Sequence, residues 1–206
     1  MIISEKNEKK YIAKLVSKEG FDKLSGKEQV FAVESFMKNN VNSGADMPYV
    51  GDVEKLFKLK FGSNYSVNRT YIMIFEALKI KWELVFTTTK SNKAFDESFP
   101  SAAYIDEVLF YFPRIDSYID PEDVSKRVGE ISFLYQGQKA MFVKPMLIGE
   151  GYTGLTRIAT IPEPNMNEIT REYAINVNWT DDLDTKIETT FKGNNHANDS
   201  RKYIYT

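Results

Sequence analysis

Residues 61–80, which read FGSNYSVNRTYIMIFEALKI, decide the fold of this chain. From Val67 onward, apolar side chains recur at the spacing that places them on one face of a helix. Asn64 and Ser66 are residue types that cap helix starts well, so we expect a helix from about residue 64 to residue 79, capped at Asn64. A glycine turn that leads into a buried helix is also where several hydrolase folds place a nucleophile. The stretch therefore indicates either an active site or a capped helix at this point.

Shorter helices are predicted ahead of this one. Residues 1–24 are charged and weakly periodic, which favours a short helix. Ser25 and Glu28 have the S-x-x-E spacing of a capping box, and the apolar stripe behind them predicts a helix that ends near Asn40. A further short helix is predicted over residues 52–59, where apolar residues again fall on one face.

After residue 80 the period of the apolar residues changes from 3.6 to 2, which is typical of β-strands. Strands are predicted in the segments IKWELVFTTT, AAYIDEVLFYFP, SYIDP, ISFLYQGQKAMFVK, TRIATIP, EITREYAINVNW, DTKIETTF and KYIYT. The TDD sequence at residues 180–182 predicts a hairpin turn. These patterns predict an α+β protein with helices packed on an antiparallel sheet over residues 1–147. Residues 148–206 are predicted to be a β-rich domain or fragment, similar to a truncated β-sandwich.

Composition excludes several classes of function. The 206 residues include 27 Lys and Arg against 29 Asp and Glu, a net charge of -2, which argues against a basic surface for nucleic acid or anionic membrane. No apolar run is long enough to span a membrane, and the N-terminus is too charged for a signal peptide. The chain has no cysteine and one histidine, His196, which excludes thiolate nucleophiles, disulfides and thiolate metal sites. No cofactor or metal is expected.

The order of capped helix, short helix, glycine turn, buried helix and antiparallel strands resembles the bacterial transglutaminase-like superfamily, in the branch common in Bacteroidetes. This superfamily has a papain-like cysteine-hydrolase fold. Its members carry a Gly-Asp-Cys motif before the buried helix, and the equivalent residues here are Gly62, Ser63 and Asn64. EALKI at residues 76–80 stands where the family has Ala-Leu-Gly-Ile. The resemblance implies that the position of the catalytic cysteine is occupied by Asn64.

The other two members of the family's triad can be placed in the same way. The family's histidine opens the next strand, and its position falls on Asp106, within one residue. Its aspartate belongs to a Tyr-x-Asp-Pro motif, which this chain retains at Asp120 and Pro121. The resemblance covers residues 25–145, and more loosely residues 150–206, where FKGNNHANDSRKY is similar to the start of the family's β-rich domain.

The resemblance implies a catalytically inactive member, or pseudoenzyme, with a degenerate triad of Asn64, Asp106 and Asp120. Asn64 cannot attack a carbonyl, and an unperturbed carboxylate at Asp106 is too weak a base. Ser63 and Ser66 flank the site, but a serine nucleophile needs a base within hydrogen-bond reach. The implied role is binding or scaffolding in an exported, periplasmic or cell-envelope protein. If the chain is an excised piece of such a protein, a missing signal peptide is expected.

The acidic residues near the predicted sheet leave an enzymatic alternative open. Those that could converge on one end of the sheet are Asp106, Glu107, Asp116, Asp120, Glu122 and Asp123. Neither a Ca²⁺-loop spacing nor a glycosidase motif is present, so a solvated acidic rim is the favoured interpretation. The alternatives are a hydrolase that uses Asp106 and Asp120 in place of the lost dyad, and a purely structural spacer domain.

Three aromatic residues are predicted to line the former substrate groove. They are Tyr65 on the buried helix, Trp82 at the start of the first long strand, and Tyr111 in the next strand. Exposed aromatic side chains in a groove bind peptides and sugars well, although most aromatic residues are core packing. A peptide or glycan is therefore the expected ligand.

Overall fold

The computed structural model of the protein describes residues 6–92, 105–148, 151–163, 168–177 and 183–192. The helices are α1 (Lys6–Lys18), α2 (Gly26–Asn40), α3 (Val53–Leu59) and α4 (Asn64–Ala77), with a 3-10 turn at Phe21–Lys23. The strands are β1 (Asn42–Gly44), β2 (Phe61–Ser63), β3 (Glu83–Thr87), β4 (Glu107–Phe112), β5 (Ser117–Ile119), β6 (Lys139–Ile148), β7 (Gly151–Thr160), β8 (Glu168–Val177) and β9 (Leu183–Lys192). The α+β class predicted from the sequence is confirmed. No helix within these ranges is long and apolar enough to cross a membrane.

The strands form three separate sheets. Five of them make an antiparallel sheet in the order β5-β4-β3-β6-β7, while β1 and β2 form a short parallel pair. The antiparallel hairpin of β8 and β9 belongs to a second compact unit, Pro162–Thr206. The first unit runs to Ile161, beyond the boundary predicted at residue 147, because β7 pairs with β6 along its whole length. The predicted strand KYIYT and His196 lie outside the described residues.

Helix α4 is the central element of the first unit. Tyr71, Ile74 and Phe75 on this helix are completely buried. The ring of Phe75 meets the rings of Phe110 and Phe112 edge-on, at centroid distances of 5.4 and 5.1 Å. These contacts show that α4 packs on the face of the sheet to which Phe110 and Phe112 of β4 point. The apolar residues that recur with a helical period from Val67 onward are therefore the residues buried between the sheet and the other helices.

A second, smaller apolar cluster lies on the other side of β4. It contains Leu109, Tyr118 and Phe142, with Tyr111 packed against it, and none of its members comes from a helix. Successive side chains of a strand point to opposite faces, so β4 contributes Leu109 and Tyr111 to this cluster and Phe110 to the helix side. The sheet is therefore apolar on both faces.

A buried ion pair joins the first helix to the central one. Arg69 on α4 donates from Nη1 to Glu8 Oε1 at 2.8 Å and from Nη2 to Glu8 Oε2 at 2.5 Å. Arg69 Nη1 also donates to the carbonyl oxygen of Gly51 at 2.8 Å. A bidentate pair of this kind fixes orientation, and removal of one partner would leave a buried charge. The charged N-terminal segment is therefore docked on the core by a specific polar contact.

The ends of the helices differ in how they are capped. Ser25 is the N-cap of α2, but its side chain makes no cap hydrogen bond, so the predicted capping box does not form. Asp52 caps α3 by accepting a hydrogen bond from the backbone nitrogen of Lys55 at 2.6 Å. The sequence therefore locates both helix starts, but the capping contact that it predicts at Ser25 does not form.

The C-terminal end of α4 is closed by a Schellman motif. The backbone nitrogen of Ile80 donates to the carbonyl oxygen of Phe75 at 2.9 Å, and that of Lys79 donates to Glu76 at 3.0 Å. Lys79 occupies the left-handed position of the motif, with φ of 55°. Glycine is the usual residue there because a Cβ atom is disfavoured in this conformation.

Gly62 is required because it passes close to the core. A Cβ atom at Gly62 would lie 2.5 Å from Cδ1 of Leu56, a side chain that is completely buried. We expect Gly62→Ala to lower the free energy of unfolding by about 1–3 kcal/mol through overpacking. Urea denaturation measures the change. In a Leu56→Ala background the same glycine substitution should cost much less, and an equal cost in both backgrounds would contradict this contact.

Candidate functional site at the start of helix α4

Ser63, and not Asn64, is the N-cap of α4. The Ser63 hydroxyl accepts a hydrogen bond from the backbone nitrogen of Ser66 at 3.4 Å and lies 3.0 Å from the Ser66 hydroxyl. Ser66 Oγ also accepts from the backbone nitrogen of Val50 at 2.8 Å, and the residue is 1% exposed. The expectation that Asn64 caps the helix is wrong, because Asn64 is already its first helical residue. The hydrogen bonds of Ser66 give it a structural role.

The side chain of Asn64 instead contacts a carboxylate from the loop after β5. Asn64 Nδ2 donates a short hydrogen bond to Oε2 of Glu122. Asn68, one turn further along α4, also bonds the Glu122 side chain. The Oδ1 atoms of both asparagines are buried and have no hydrogen-bond partner among the residues that the structure describes. The position that the resemblance assigns to a nucleophile therefore holds an amide that binds a carboxylate.

Asp120 lies beside this contact and caps the turn at Pro121. Its Oδ1 accepts hydrogen bonds from the backbone nitrogens of Glu122 at 3.1 Å and Asp123 at 3.0 Å. The residue is 3% exposed, and its Oδ2 has no hydrogen-bond partner within the described part of the chain. Burial raises the pKa of the Asp120 carboxyl, against the lowering effect of the two backbone donors.

Asp106 and its neighbour Glu107 have different surroundings. Asp106 Oδ2 accepts hydrogen bonds from Thr88 Oγ1 at 3.0 Å, from the Thr89 nitrogen at 3.1 Å and from Asn92 Nδ2 at 2.6 Å. Desolvation raises the pKa of Asp106, but these hydrogen bonds outweigh it, so the pKa is lowered. The side chain of Asp106 is thus hydrogen-bonded to the loop after β3.

Glu107, the first residue of β4, lies close enough to Glu122 for its charge to raise the pKa of that residue. Its carboxylate accepts a hydrogen bond from the Tyr135 side chain, and burial followed by the charge of Asp120 raises its pKa. Neighbouring residues of a strand point in opposite directions, which separates Glu107 from Asp106. The residue whose charge acts on Glu122 is therefore Glu107, which falls within the one-residue margin of the placement at Asp106.

Glu107, Asp120 and Glu122 form what we call the carboxylate cluster. Burial, followed by the charges of Glu107 and Asp120, raises the pKa of Glu122 to about 7. The predicted solvated acidic rim is therefore wrong for these three residues, of which Asp120 is buried and the other two are half-buried. Asp116 lies elsewhere, where it accepts a hydrogen bond from Tyr111 at 2.9 Å.

A buried ion pair on α2 holds the segment that follows the cluster. Lys38 Nζ lies 2.9 Å from Glu34 Oε1 and donates to the carbonyl oxygen of Lys126 at 2.8 Å. Glu34 Oε2 accepts from the backbone nitrogen of Val128 at 3.2 Å. Burial lowers the pKa of Lys38, with Glu34 and then Asp120 acting in the opposite direction. These contacts fix the C-terminal side of the loop that supplies Asp120 and Glu122, and β5 precedes it on the other side.

The three predicted groove aromatics do not come together. Tyr65 is 54% exposed beside the cluster, and its ring lies 5.6 Å from that of Tyr49, which is 61% exposed. Trp82 is buried on the helix side of the sheet against Phe110. Tyr111 packs in the cluster on the other face of the sheet. Tyr65 is exposed on α4, whereas Trp82 and Tyr111 pack in different cores on the two faces of the sheet.

The sequence did not predict that Asn68 and Tyr135 contribute to the site. It also did not predict that Tyr49 lies against Tyr65. Asn68 follows Asn64 by four residues, which is the spacing of neighbours on a helix face, so this signal was available in the sequence. Tyr135 and Tyr49 approach from distant parts of the chain and carry no local signal. Within the described residues, no group of three or more His, Cys, Asp or Glu side chains is arranged to hold a metal ion.

No protein-family model matches this chain, and neither a curated protein nor a solved structure matches it. The functional assignment therefore depends on the residues at the start of α4 and on the resemblance in sequence.

The raised pKa of Glu122 predicts a pH dependence of stability. The folded protein holds the Glu122 proton up to about pH 7, whereas the ordinary pKa is 4.5, so folding binds a proton between these values. We therefore expect stability to fall as pH rises through this window. Because the side chain is partly exposed, the loss should be about 1–2 kcal/mol rather than the full value of the shift. Urea denaturation from pH 4.5 to 7.5 measures it.

Glu107 and Asp120 act in the same direction, so Glu122→Gln should reduce this slope without abolishing it. Glu28→Gln, at an exposed position of α2, serves as the matched control and should leave the slope unchanged. Equal slopes in the parent protein and in Glu122→Gln would contradict the raised pKa.

Proposed function

We propose that the protein is a non-catalytic transglutaminase-like domain that binds a ligand at the start of α4. The observation that carries this proposal is the contact between Asn64 and Glu122, at the position where the family places a thiol. The chain has no cysteine, and the described residues include no histidine. Without a nucleophile and an imidazole, the site lacks the pair on which this family's chemistry depends.

The placement of the cluster supports the relationship. The family draws its three catalytic residues from the start of a buried helix, from the start of the second strand after it and from a Tyr-x-Asp-Pro motif. Asn64 begins α4, Glu107 begins β4, and Asp120 follows β5 directly. β4 and β5 are antiparallel neighbours, so the start of one and the end of the other lie at the same end of the sheet. The resemblance further favours an exported, periplasmic or cell-envelope protein.

The unpaired oxygens of the site indicate the ligand's chemistry. Asn64 Oδ1, Asn68 Oδ1 and Asp120 Oδ2 are buried hydrogen-bond acceptors without a partner in the part of the chain that the structure describes. Such atoms are costly unless a donor reaches them, so the site suits a ligand rich in N–H or O–H groups. The exposed pair of Tyr49 and Tyr65 offers rings for a peptide or sugar to pack against. A peptide or glycan fits both features.

Absence of catalysis is tested by rebuilding the dyad. The parent protein should show no amide hydrolysis and no transamidation. Asn64→Cys combined with Glu107→His should lower the pKa of the new thiol, which an alkylation rate measured against pH detects. A fall of one pKa unit increases the thiolate fraction about tenfold at pH values well below the pKa.

The matched control combines Asn64→Cys with Asp106→His, because the loop after β3 holds the Asp106 side chain. This control should alkylate like Asn64→Cys alone. If the double variants carrying Asp106→His and Glu107→His behaved alike, the assignment of Glu107 to the site would be wrong.

Ligand binding is tested at the aromatic pair. Soluble oligopeptides and oligosaccharides titrated into the full chain should shift the side-chain amide resonances of Asn64 and Asn68. Tyr65→Ala should weaken that binding about tenfold, the value of a stacking contact plus its buried area. Phe31→Ala, at an exposed aromatic of α2, is the control and should bind normally. Unchanged affinity in Tyr65→Ala would remove Tyr65 from the site.

A carboxylate-dependent hydrolase is a second candidate, favoured by the raised pKa values of the cluster. A carboxyl group with a pKa near 7, like that of Glu122, can act as a general acid at neutral pH beside an ionised neighbour. The pair is then Glu122 with Asp120 or Glu107, and not the pair of Asp106 and Asp120 expected from the sequence. Hydrolysis by the parent protein with a bell-shaped pH profile, lost in Glu122→Gln, would establish this function and exclude a purely binding role.

A further inference from the structure

A second candidate site lies at the other end of α4. A cavity of about 680 Å³ opens where the C-terminal end of α4 meets the start of β3, the end of β4 and the middle of β6. Four cationic side chains line it, namely Lys79, Lys81, Arg114 and Lys144. They come from three separate segments of the chain, so the fold and not a local run of lysines brings them together.

The cavity has an excess of positive charge, although the whole chain carries a net charge of -2. The carboxylates in its lining are Glu76 and Glu83. Glu83 forms an ion pair with Arg157, which does not line the cavity, at an Nη2–Oε2 distance of 2.8 Å. Within the described part of the chain, no side-chain hydrogen bond or ion pair joins the four cations to another residue. Their charges are therefore available to an anion.

Lys79 lines this cavity and has a backbone conformation that is unfavourable for residues other than glycine. It occupies the left-handed position of the Schellman motif at φ of 55°, where a residue with a Cβ atom is strained relative to glycine. Lys60, at the end of α3, has the same backbone conformation with φ of 61° but does not line the cavity. The two lysines therefore form a natural matched pair.

We propose that this cavity binds a small organic polyanion. Four cations from three directions suit a ligand with at least two phosphate, sulfate or carboxylate groups. Trp82 and Pro145 add apolar surface to the lining, and the volume exceeds what an inorganic ion fills. A compact anion with an organic body matches both features. This site is independent of the carboxylate cluster, which would repel such a ligand.

Isothermal titration calorimetry on the full chain tests the proposal, with pyrophosphate and citrate as probes at constant ionic strength. We expect saturable one-to-one binding of at least one probe, weakened by added salt. Preference for pyrophosphate would indicate a phosphoryl ligand, and preference for citrate a carboxylate ligand. Absence of saturable binding by both probes would overturn the proposal.

Lys79→Gly and Lys60→Gly separate binding from folding. Both substitutions relieve a left-handed lysine, so both should raise the melting temperature or leave it unchanged. Only Lys79→Gly should weaken probe binding, by about tenfold, the loss expected for one charged hydrogen bond. Arg114→Gln should weaken it similarly. Equal affinity in the parent protein, Lys79→Gly and Arg114→Gln would show that the cavity is not the binding site.

Discussion

The packing of α4 against β4 is the constraint on which both candidate sites depend. Phe75 meets Phe110 and Phe112 edge-on, and Tyr71 is buried beside them, so the helix can neither rotate nor slide without leaving voids in the core. With 14 residues, the helix is about 21 Å long. It therefore holds the carboxylate cluster and the basic cavity apart, at opposite ends of one rigid element.

The carboxylate cluster shows which electrostatic effects dominate at the start of α4. Hydrogen bonds from Asn64 and Asn68 lower the pKa of Glu122, as does the partial positive charge of a helix N-terminus in general. Burial and the neighbouring charges of Glu107 and Asp120 outweigh these effects, because the pKa rises to about 7. A purely structural site would gain stability from apolar residues here. The proposed ligand site is consistent with three carboxylates at this position.

Local patterns in the sequence predict the elements but not which faces meet. The helical period identifies α4, and the Asp-Pro turn gives Asp120 its backbone partners. The placement at Asp106 is precise only to one residue, and a shift of one residue along a strand reverses the side-chain direction. Trp82 and Tyr111 lie in different apolar clusters, and a strand with two apolar faces gives no indication of which face a groove occupies. Contacts between distant segments, such as Tyr135 with Glu107, have no local signature.

The buried pair of Glu34 and Lys38 has a consequence for the order of folding. It reaches Lys126 across 88 residues and Val128 across 94, so these contacts close only after the intervening chain has collapsed. Helices α1 to α4 involve shorter separations and can assemble earlier. The loop that carries Asp120 and Glu122 is then among the last parts to become ordered. The pKa values of its carboxyl groups are raised only in the final step. An incompletely folded chain therefore has the helices but not the site.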